Sequence, residues 1–209
     1  MKSYHHSPFE IGIDEAGRGP FIGPVYASAV WWNSDYDEKE IPVCIMDSKK
    51  MTPKKRMEAR EWIIQHAHAY GIGSASSQEI DELNILQATR LAMKRAIDHM
   101  REHFPFTRDL HHFIIDGVRW ENKFEGERVT SIVGGDDKYL SIACASILAK
   151  EAHDEYIREM CVEHPDWNER YDLMNNMGYG TKKHREGLEK YGVCNEHRMS
   201  FAPCKKYIK

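Results

Sequence analysis

The sequence predicts an α/β protein in which helices cover both faces of a mixed β-sheet. Segments rich in β-branched and aromatic residues, which are typical of strands, occur near the start of the chain and again in its middle. Between them lie segments whose apolar residues recur three and four positions apart, as in amphipathic helices. No internal repeat or low-complexity tract interrupts the 209 residues, so we expect a single domain.

The predicted elements alternate along the chain. Five strands are predicted, at residues 9–14, 25–32, 71–75, 112–116 and 129–133. Four helical segments are predicted, at residues 52–70, 77–104, 138–161 and 181–191. Thr52 followed by Pro53 is a typical helix start, and Thr181 is a typical N-cap. A glycine-rich turn joins the first two strands.

Composition excludes several classes of protein. With 41% hydrophobic and 30% charged residues, the chain resembles ordinary soluble proteins. No apolar run approaches the ~20 residues of a membrane helix, and residues 1–8 lack the apolar core of a secretion signal. The five cysteines are never spaced as C-x-x-C, which argues against a disulfide framework or zinc ribbon. We therefore expect a cytoplasmic protein without a membrane partner, although a nuclear location stays open.

The charge distribution leaves two interpretations open. A net charge of −4 argues mildly against nucleic-acid binding, yet basic residues cluster locally. Each cluster is either a solvated helix face or part of a nucleic-acid surface. Histidine pairs at 5–6 and 111–112 are predicted to be surface or strand-edge residues, because no metal-binding spacing is present. The basic clusters are Lys49, Lys50, Lys54, Lys55 and Arg56, then Lys182, Lys183, His184 and Arg185, followed by Arg198, Lys205, Lys206 and Lys209.

Acidic residues follow three of the predicted strands. Asp14 ends the first strand with Glu15 directly after it, Asp116 ends the fourth, and Asp136 follows the fifth. If the first and fourth strands are neighbours, these carboxylates converge at one edge of the sheet. Hard divalent cations would relieve their repulsion, and Mg²⁺ or Mn²⁺ suits carboxylate oxygens better than zinc. Two such ions can clamp an in-line displacement at phosphorus. Helix capping explains Asp136 or Asp137 singly as well as catalysis does, but it does not explain the Asp14-Glu15 pair.

The loop at residues 17–19 is a second signal. Its glycines allow backbone amides to approach a ligand closely, and Arg18 can grip a phosphate. The G-x-G-x-x-x-G spacing does not fit a dinucleotide fingerprint, and no G-K-[ST] follows as in a P-loop. A tight turn between two strands is the structural alternative. The residues alone thus indicate a metal-dependent phosphoryl-transfer enzyme acting on nucleic acid, with a nucleotide-binding module and a non-catalytic nucleic-acid binder as rivals.

The run Asp-Glu-Ala-Gly-Arg-Gly-Pro at residues 14–20, with Gly-Pro-Val at 23–25, resembles the type 2 ribonuclease H (ribonuclease HII) family. Five later stretches occur in the family's order: DSKK at 47–50, EIDELNI at 79–85, IDG at 115–117, ASILAK at 145–150 and GYGT at 178–181. Single stretches are weak signals, but the ordered set spans about residues 9–203 and is specific.

The resemblance implies an RNase H-like fold, a mixed five-stranded sheet flanked by helices, with a helical C-terminal part. Residues 1–209 would form one catalytic domain, with the core at about 9–165 and a substrate-contacting segment at about 166–209. The implied activity is hydrolysis of the RNA strand of RNA–DNA hybrids and cleavage 5′ to ribonucleotides embedded in duplex DNA. Two Mg²⁺ or Mn²⁺ ions would act, leaving 5′-phosphate and 3′-hydroxyl ends.

The resemblance also implies roles for particular residues. Asp136 is chosen over Asp137 because it follows Gly135 and keeps the family's distance to the 145–150 stretch. The four metal-binding catalytic carboxylates are Asp14, Glu15, Asp116 and Asp136. The implied substrate contacts are Gly17, Arg18 and Gly19 to the ribose 2′-hydroxyl, Tyr179 stacked on a sugar, and Ser48, Lys49 and Thr181 to phosphates.

Two positions depart from the family pattern. Gly134 and Met177 stand where the family usually has lysine, and each removes a candidate phosphate contact without touching the metal chemistry. Nucleic acid is the implied partner, and a sliding clamp is a further candidate through the tail after Pro203. We expect a monomer.

Overall fold

The computed structural model describes residues 9–32, 45, 48, 51–105 and 111–207, and it contains the predicted mixed sheet. The strands lie in the order β3-β2-β1-β4-β5. Strand β2 is antiparallel to both of its neighbours, β1 and β3, whereas β1 and β4, and β4 and β5, run parallel. The first and fourth strands are neighbours, so the condition under which Asp14 and Asp116 converge is met. The strands are β1 (Glu10–Ala16), β2 (Val25–Trp31), β3 (Ala69–Ala75), β4 (His112–Asp116) and β5 (Arg128–Ile132).

Helices lie on both faces of the sheet, as predicted. One face packs against α3, and the other against α4 and α1. A single turn of 3₁₀ helix, Gly135–Asp137, joins β5 to α4. The helices of the described residues are α1 (Pro53–His66), α2 (Ser77–Leu83), α3 (Ile85–His103), α4 (Leu140–Glu163), α5 (Pro165–Tyr171), α6 (Leu173–Asn176), α7 (Lys182–Tyr191) and α8 (Ala202–Lys205).

The two faces of β1 separate the core from the site. Ile11 and Ile13 are fully buried in the cluster that α3 covers. Successive side chains of a strand point to opposite faces, so Gly12 and Asp14 face α4 instead. At Gly12 the backbone of Ser141 in α4 comes so close that a Cβ atom would lie 2.2 Å from it. The absence of a side chain at Gly12 therefore lets α4 pass directly beneath β1 and reach Asp14.

The predicted helix over residues 77–104 is wrong in one respect, because it is broken at Asn84. Asn84 has φ +70°, and its side chain accepts hydrogen bonds from the backbone N–H groups of Leu86 and Gln87. It thus caps α3, while Ser76 and Glu79 form a capping box at the start of α2. The other predicted boundaries shift by a few residues, as α1 ends at residue 66 rather than 70.

The C-terminal part packs against the end of α4 and the loop between β1 and β2. Helices α5, α6 and α8 were not predicted from the sequence, whereas α7 was predicted with its Thr181 cap. Gly180 and Gly187 allow close approach of Phe21 and Arg170, respectively. The buried residues of this C-terminal cluster are Phe21, Ile22, Ile157, Met160, Cys161, Tyr171, Leu173, Leu188 and Cys204.

The histidine prediction at residues 111–112 is wrong. His111 and His112 are 3% and 6% exposed, and His112 belongs to the interior strand β4, where its Nε2 lies 2.9 Å from Thr130 Oγ1. The pair at residues 5–6 lies outside the described residues. Within the described part of the chain, no helix is long and apolar enough to cross a membrane.

Candidate active site

Parallel pairing of β1 and β4 brings Asp14 and Asp116 together. Ile13 is paired with Ile115, so the next residue of each strand is an aspartate beside the other strand's aspartate. Asp14 is only 6% exposed, and Glu15 follows it at the end of β1. Two of the predicted carboxylates are thus neighbours across the strands, and a third is adjacent along the chain.

The surroundings of Asp14 disfavour its negative charge. Burial raises the pKa of Asp14 well above its ordinary value, and the charges of Glu15 and Asp116 raise it further. Hydrogen bonds from the Glu15 N–H and the Ser146 hydroxyl oppose this shift without cancelling it. The site therefore stores carboxylate repulsion that a bound cation would relieve.

The turn after β5 carries Asp136 and is bonded to Asp116. The backbone N–H of Gly135 donates to Asp116 Oδ1 at 2.7 Å, which ties the turn to the end of β4. Asp136 is 7% exposed, whereas its neighbour Asp137 is exposed. Of the two candidates, Asp136 therefore has the enclosed position.

The donor set suits a hard divalent cation. It consists of carboxylate oxygens alone, which are the ligands that Mg²⁺ and Mn²⁺ prefer. Burial and the charges of Glu15 and Asp116 raise the pKa of Asp14, and a bound cation would stabilise the charged carboxylate. Among the described residues, no three acidic, histidine or cysteine side chains already stand close enough to hold a metal ion. The four-ligand set accordingly stays a prediction.

The loop after Glu15 is held in a constrained conformation. Gly17 has φ +84°, and a Cβ atom there would lie 2.4 Å from Cδ2 of His153. At Gly19 a Cβ atom would lie 3.2 Å from the Tyr179 ring. Gly17 is therefore required by its backbone conformation as well as by close packing, whereas a side chain at Gly19 would need only a small shift of the half-exposed Tyr179 ring. Arg18 stays 44% exposed and pairs with Glu15 at 3.0 Å.

A cleft of about 180 Å³ gathers most of the predicted substrate contacts. Tyr179 is 41% exposed at its wall, so one side of the cleft is an accessible aromatic ring. Because Glu15 also lines it, the cleft connects the glycine loop with the carboxylates. Its lining residues are Glu15, Ala16, Gly17, Arg18, Gly19, Ser48, Ser146, Lys150 and Tyr179.

One predicted contact, Thr181, is not among the lining residues of this cleft. Lys49 lies outside the described residues, so its predicted contact is not tested. Thr181 caps α7 by accepting the His184 N–H at 3.4 Å, so its hydroxyl already has a structural role. Met177, which stands where the family usually has lysine, packs against the C-terminal cluster.

Ser146 and Lys150 were missed as individual site residues. The Ser146 hydroxyl bonds Asp14 and lies 3.0 Å from Ser48 Oγ, so it connects the carboxylates to the cleft. Lys150 Nζ lies 5.8 Å from the centre of the Tyr179 ring. The sequence does contain a signal for both residues, because they lie in the 145–150 stretch that resembles the family. Residues four apart on a helix share one face, so Ser146 and Lys150 are expected to point to the same side.

Two members of the basic clusters, Arg56 and His184, are buried and so do not belong to an exposed basic surface. Arg56 is 6% exposed and bonds Glu151 at 2.5 Å, Asp154 at 3.1 Å and the Ser48 carbonyl oxygen at 3.2 Å. His184 is fully buried, and burial lowers its pKa to about 4. Neither the solvated-face nor the nucleic-acid interpretation is right for these two residues. Arg56 instead positions Ser48 at the cleft.

Comparisons with known proteins identify relatives of the chain and structures with a similar fold. The family model described as ribonuclease HII matches residues 11–204. The chain is 45% identical over 193 residues to a ribonuclease HII of Caldicellulosiruptor bescii, covering 92% of this chain and 86% of that protein. The structure of the PCNA:RNase HII complex from Archaeoglobus fulgidus is similar, with a TM-score of 0.68 at 24% identity, covering 91% of this chain and 94% of that one. Bst-RNase HIII in complex with Mn²⁺ gives a TM-score of 0.73 at 17% identity, covering 98% of this chain and 70% of that one. The predicted fold class is thereby confirmed.

Proposed function

The chain belongs to the ribonuclease HII family, and from that premise we propose that it is an endoribonuclease acting on RNA–DNA duplexes. It hydrolyses the RNA strand of hybrids and cuts 5′ to ribonucleotides embedded in duplex DNA, leaving 5′-phosphate and 3′-hydroxyl ends. The observation that carries this proposal is the single cleft lined by both Glu15 and the 17–19 loop. Chemistry at phosphorus and selection of a ribose are thus adjacent.

The carboxylates have the first role. Asp14, Glu15, Asp116 and Asp136 would hold two Mg²⁺ or Mn²⁺ ions, which when bound supply an activated water and stabilise the leaving 3′-oxygen. The hydrogen bond from the Ser146 hydroxyl would help to hold the Asp14 carboxylate in place as a ligand. Support for a divalent ion comes from the all-oxygen donor set and from the Mn²⁺ complex of the structurally similar Bst-RNase HIII.

The cleft residues have the second role, which is to place the substrate. The backbone of residues 17–19 would meet the 2′-hydroxyl, the group that distinguishes RNA from DNA. The exposed ring of Tyr179 would stack on the neighbouring sugar, and the hydroxyl of Ser48 would meet a phosphate. Lys49 and Thr181 complete the proposed phosphate contacts. Lys150, beside Tyr179, adds a cation that the sequence interpretation did not assign.

We further propose a single catalytic domain over residues 1–209 that acts as a monomer in ribonucleotide removal during replication and repair. The described cysteines Cys144, Cys161, Cys194 and Cys204 are free thiols, which supports a reducing, cytoplasmic compartment. A sliding-clamp contact through the tail after Pro203 is supported by the clamp complex of the Archaeoglobus fulgidus protein.

The deciding experiment uses an end-labelled DNA duplex with one ribonucleotide, incubated with Mg²⁺, with Mn²⁺ or with chelator. We expect one cut 5′ to the ribonucleotide in either metal, and an upstream product that a DNA polymerase can extend. All-DNA and all-RNA duplexes are the substrate controls. Cleavage that persists in chelator, or the absence of cleavage in every metal, would refute the proposal.

A further inference from the structure

Arg198 is a buried cation that the proposed chemistry leaves unused. It is 0% exposed, and its guanidinium group donates only to backbone carbonyl oxygens among its described hydrogen-bond partners. Burial lowers its pKa to about 10, so it remains charged at neutral pH. The acceptors are the carbonyl oxygens of Gly17 at 2.6 Å, Arg18 at 3.1 Å, Gly23 at 2.8 Å and Pro24 at 3.0 Å.

A charge in this position is costly for the fold. Burying a guanidinium costs several kcal/mol unless its donors are all well bonded. The rigid, planar fork of an arginine can meet carbonyl groups from both ends of a loop at once, which a lysine ammonium cannot do. The fold therefore uses this cation to fix the two ends of the loop between β1 and β2 relative to each other.

The carbonyl bonds also set the direction of the loop's donors. In a trans peptide, the C=O and the following N–H point in opposite directions. Because the carbonyl oxygens of Gly17 and Arg18 point at Arg198, the N–H groups of Arg18 and Gly19 point away from it. These groups belong to Gly17, Arg18 and Gly19, and all three residues line the cleft. The N–H groups that Arg198 holds away from itself therefore belong to residues that line the cleft.

Arg198 is itself held in place from the opposite side. The carboxylate of Asp81 accepts the N–H groups of Met199 at 2.8 Å and of Ser200 at 2.7 Å. The backbone N–H of Arg198 donates to the Phe21 carbonyl oxygen at 2.8 Å. This gives a role to Asp81 in the 79–85 stretch, which the proposed function does not use. Asp81, the segment after Arg198 and the loop form one continuous brace.

We propose that Arg198 is a positioning residue for ribonucleotide recognition, acting through the backbone of residues 17–19 and touching no substrate itself. The inference rests on the proposed function, since it assigns the loop to the 2′-hydroxyl. The statement that Arg198 orders the loop can be tested without measuring activity.

The test compares Arg198→Lys with wild type in two measurements. Amide hydrogen exchange of the folded protein, read out in a peptide that contains residues 17–19, reports loop order in the absence of substrate. Steady-state cleavage of the single-ribonucleotide duplex reports kcat and KM. We expect loop exchange to accelerate at least about 10-fold and kcat to fall at least about 10-fold, with a smaller change in KM, since ~1.4 kcal/mol of lost positioning corresponds to each tenfold step.

Leu188→Ala is the matched control, because Leu188 is 1% exposed in the same C-terminal cluster and has no part in the cleft. It should lower the melting temperature while loop exchange and kcat stay near wild type. The proposal is overturned if Arg198→Lys behaves like this control. If Arg198→Lys does not fold, Asp81→Asn decides instead: it weakens the brace without removing the buried cation, and it should show the same two effects. Unchanged loop exchange in Asp81→Asn would then overturn the proposal.

The two possible failures are distinguishable. If the wild-type protein cuts no ribonucleotide-containing duplex, the proposed function fails, and faster loop exchange in Arg198→Lys would still establish the brace. If the wild type cuts and Arg198→Lys cuts equally well, the inference alone fails.

Discussion

Replacing Gly17 by alanine is expected to damage the recognition loop more than the fold. Gly17 has φ +84°, a left-handed conformation that costs an L-residue about 1–2 kcal/mol. The new Cβ would also lie 2.4 Å from Cδ2 of His153, and overpacking of this kind costs about 1–3 kcal/mol. His153 cannot easily yield, because it is fully buried and its Nδ1 lies 3.0 Å from Asp154 Oδ1. The sum is about 2–5 kcal/mol.

The loop can escape this strain by moving away from His153, and the cost then appears as lost catalysis. A penalty of ~2 kcal/mol on the productive loop conformation corresponds to about a 30-fold loss of kcat/KM. The assay is steady-state cleavage of the single-ribonucleotide duplex, with the melting temperature measured in parallel. We expect at least this loss at a temperature where the variant is folded.

Gly192→Ala is the matched control. Gly192 also has a positive φ, +76°, but a Cβ atom there would meet nothing within 4 Å. It should lose about 1–3 kcal/mol of stability and retain its kcat/KM. The double variant His153→Ala, Gly17→Ala should recover part of the lost activity, because it removes the overlap and keeps the backbone strain. Wild-type kcat/KM in Gly17→Ala, or an equal loss in Gly192→Ala, would refute this account of the loop.

Three further predictions concern the carboxylates and the missing lysine. Because the pKa of Asp14 is raised in the folded protein, the stability of the metal-free protein should fall as pH rises through that pKa. Asp14→Asn should abolish turnover and should also remove this loss of stability with rising pH. A melting temperature of Asp14→Asn below that of wild type, in chelator at neutral pH, would contradict the prediction. Asp136→Asn should reduce cleavage by more than about 100-fold, whereas the exposed Asp137→Asn should be near wild type, and equal losses would show the choice between them to be wrong. Gly134→Lys should steepen the dependence of log KM on log salt by about 0.9, and Gly134→Ala, which carries the same left-handed strain with no added charge, should not; identical slopes would exclude a phosphate contact there.

The strands, and the acidic residues at their ends, were predictable because both depend on local pattern. β-branched and aromatic content identified the strands, whereas the pairing of β1 with β4 that makes Asp14 and Asp116 neighbours is a long-range contact that the sequence analysis could state only as a condition. The break at Asn84 was not predictable from spacing, since the apolar period of α3 continues the pattern of α2. Only the cap itself, a side chain bonded to two backbone N–H groups, ends one helix and starts the next.

The short C-terminal helices were missed for a related reason. Helix α6 and helix α8 have four residues each, which is too short for a helical period to appear in the sequence. Their stability comes from the apolar cluster they share with α4 and Phe21, which is a long-range contact. Arg198 lies in this part of the chain, so its role depends on packing that sequence patterns do not reveal.

The basic residues show why local charge density is a poor guide to a nucleic-acid surface. Successive residues of a helix are spread about its axis at 3.6 per turn, so neighbours in sequence face different surroundings. In α1, Lys54 and Lys55 are exposed while Arg56 points inward to two buried carboxylates. The cations that line the cleft, Arg18 and Lys150, belong to none of the sequence clusters. Recognition at the scissile position should therefore depend on these two isolated cations, with the clustered lysines contributing only the salt-sensitive, sequence-independent part of binding.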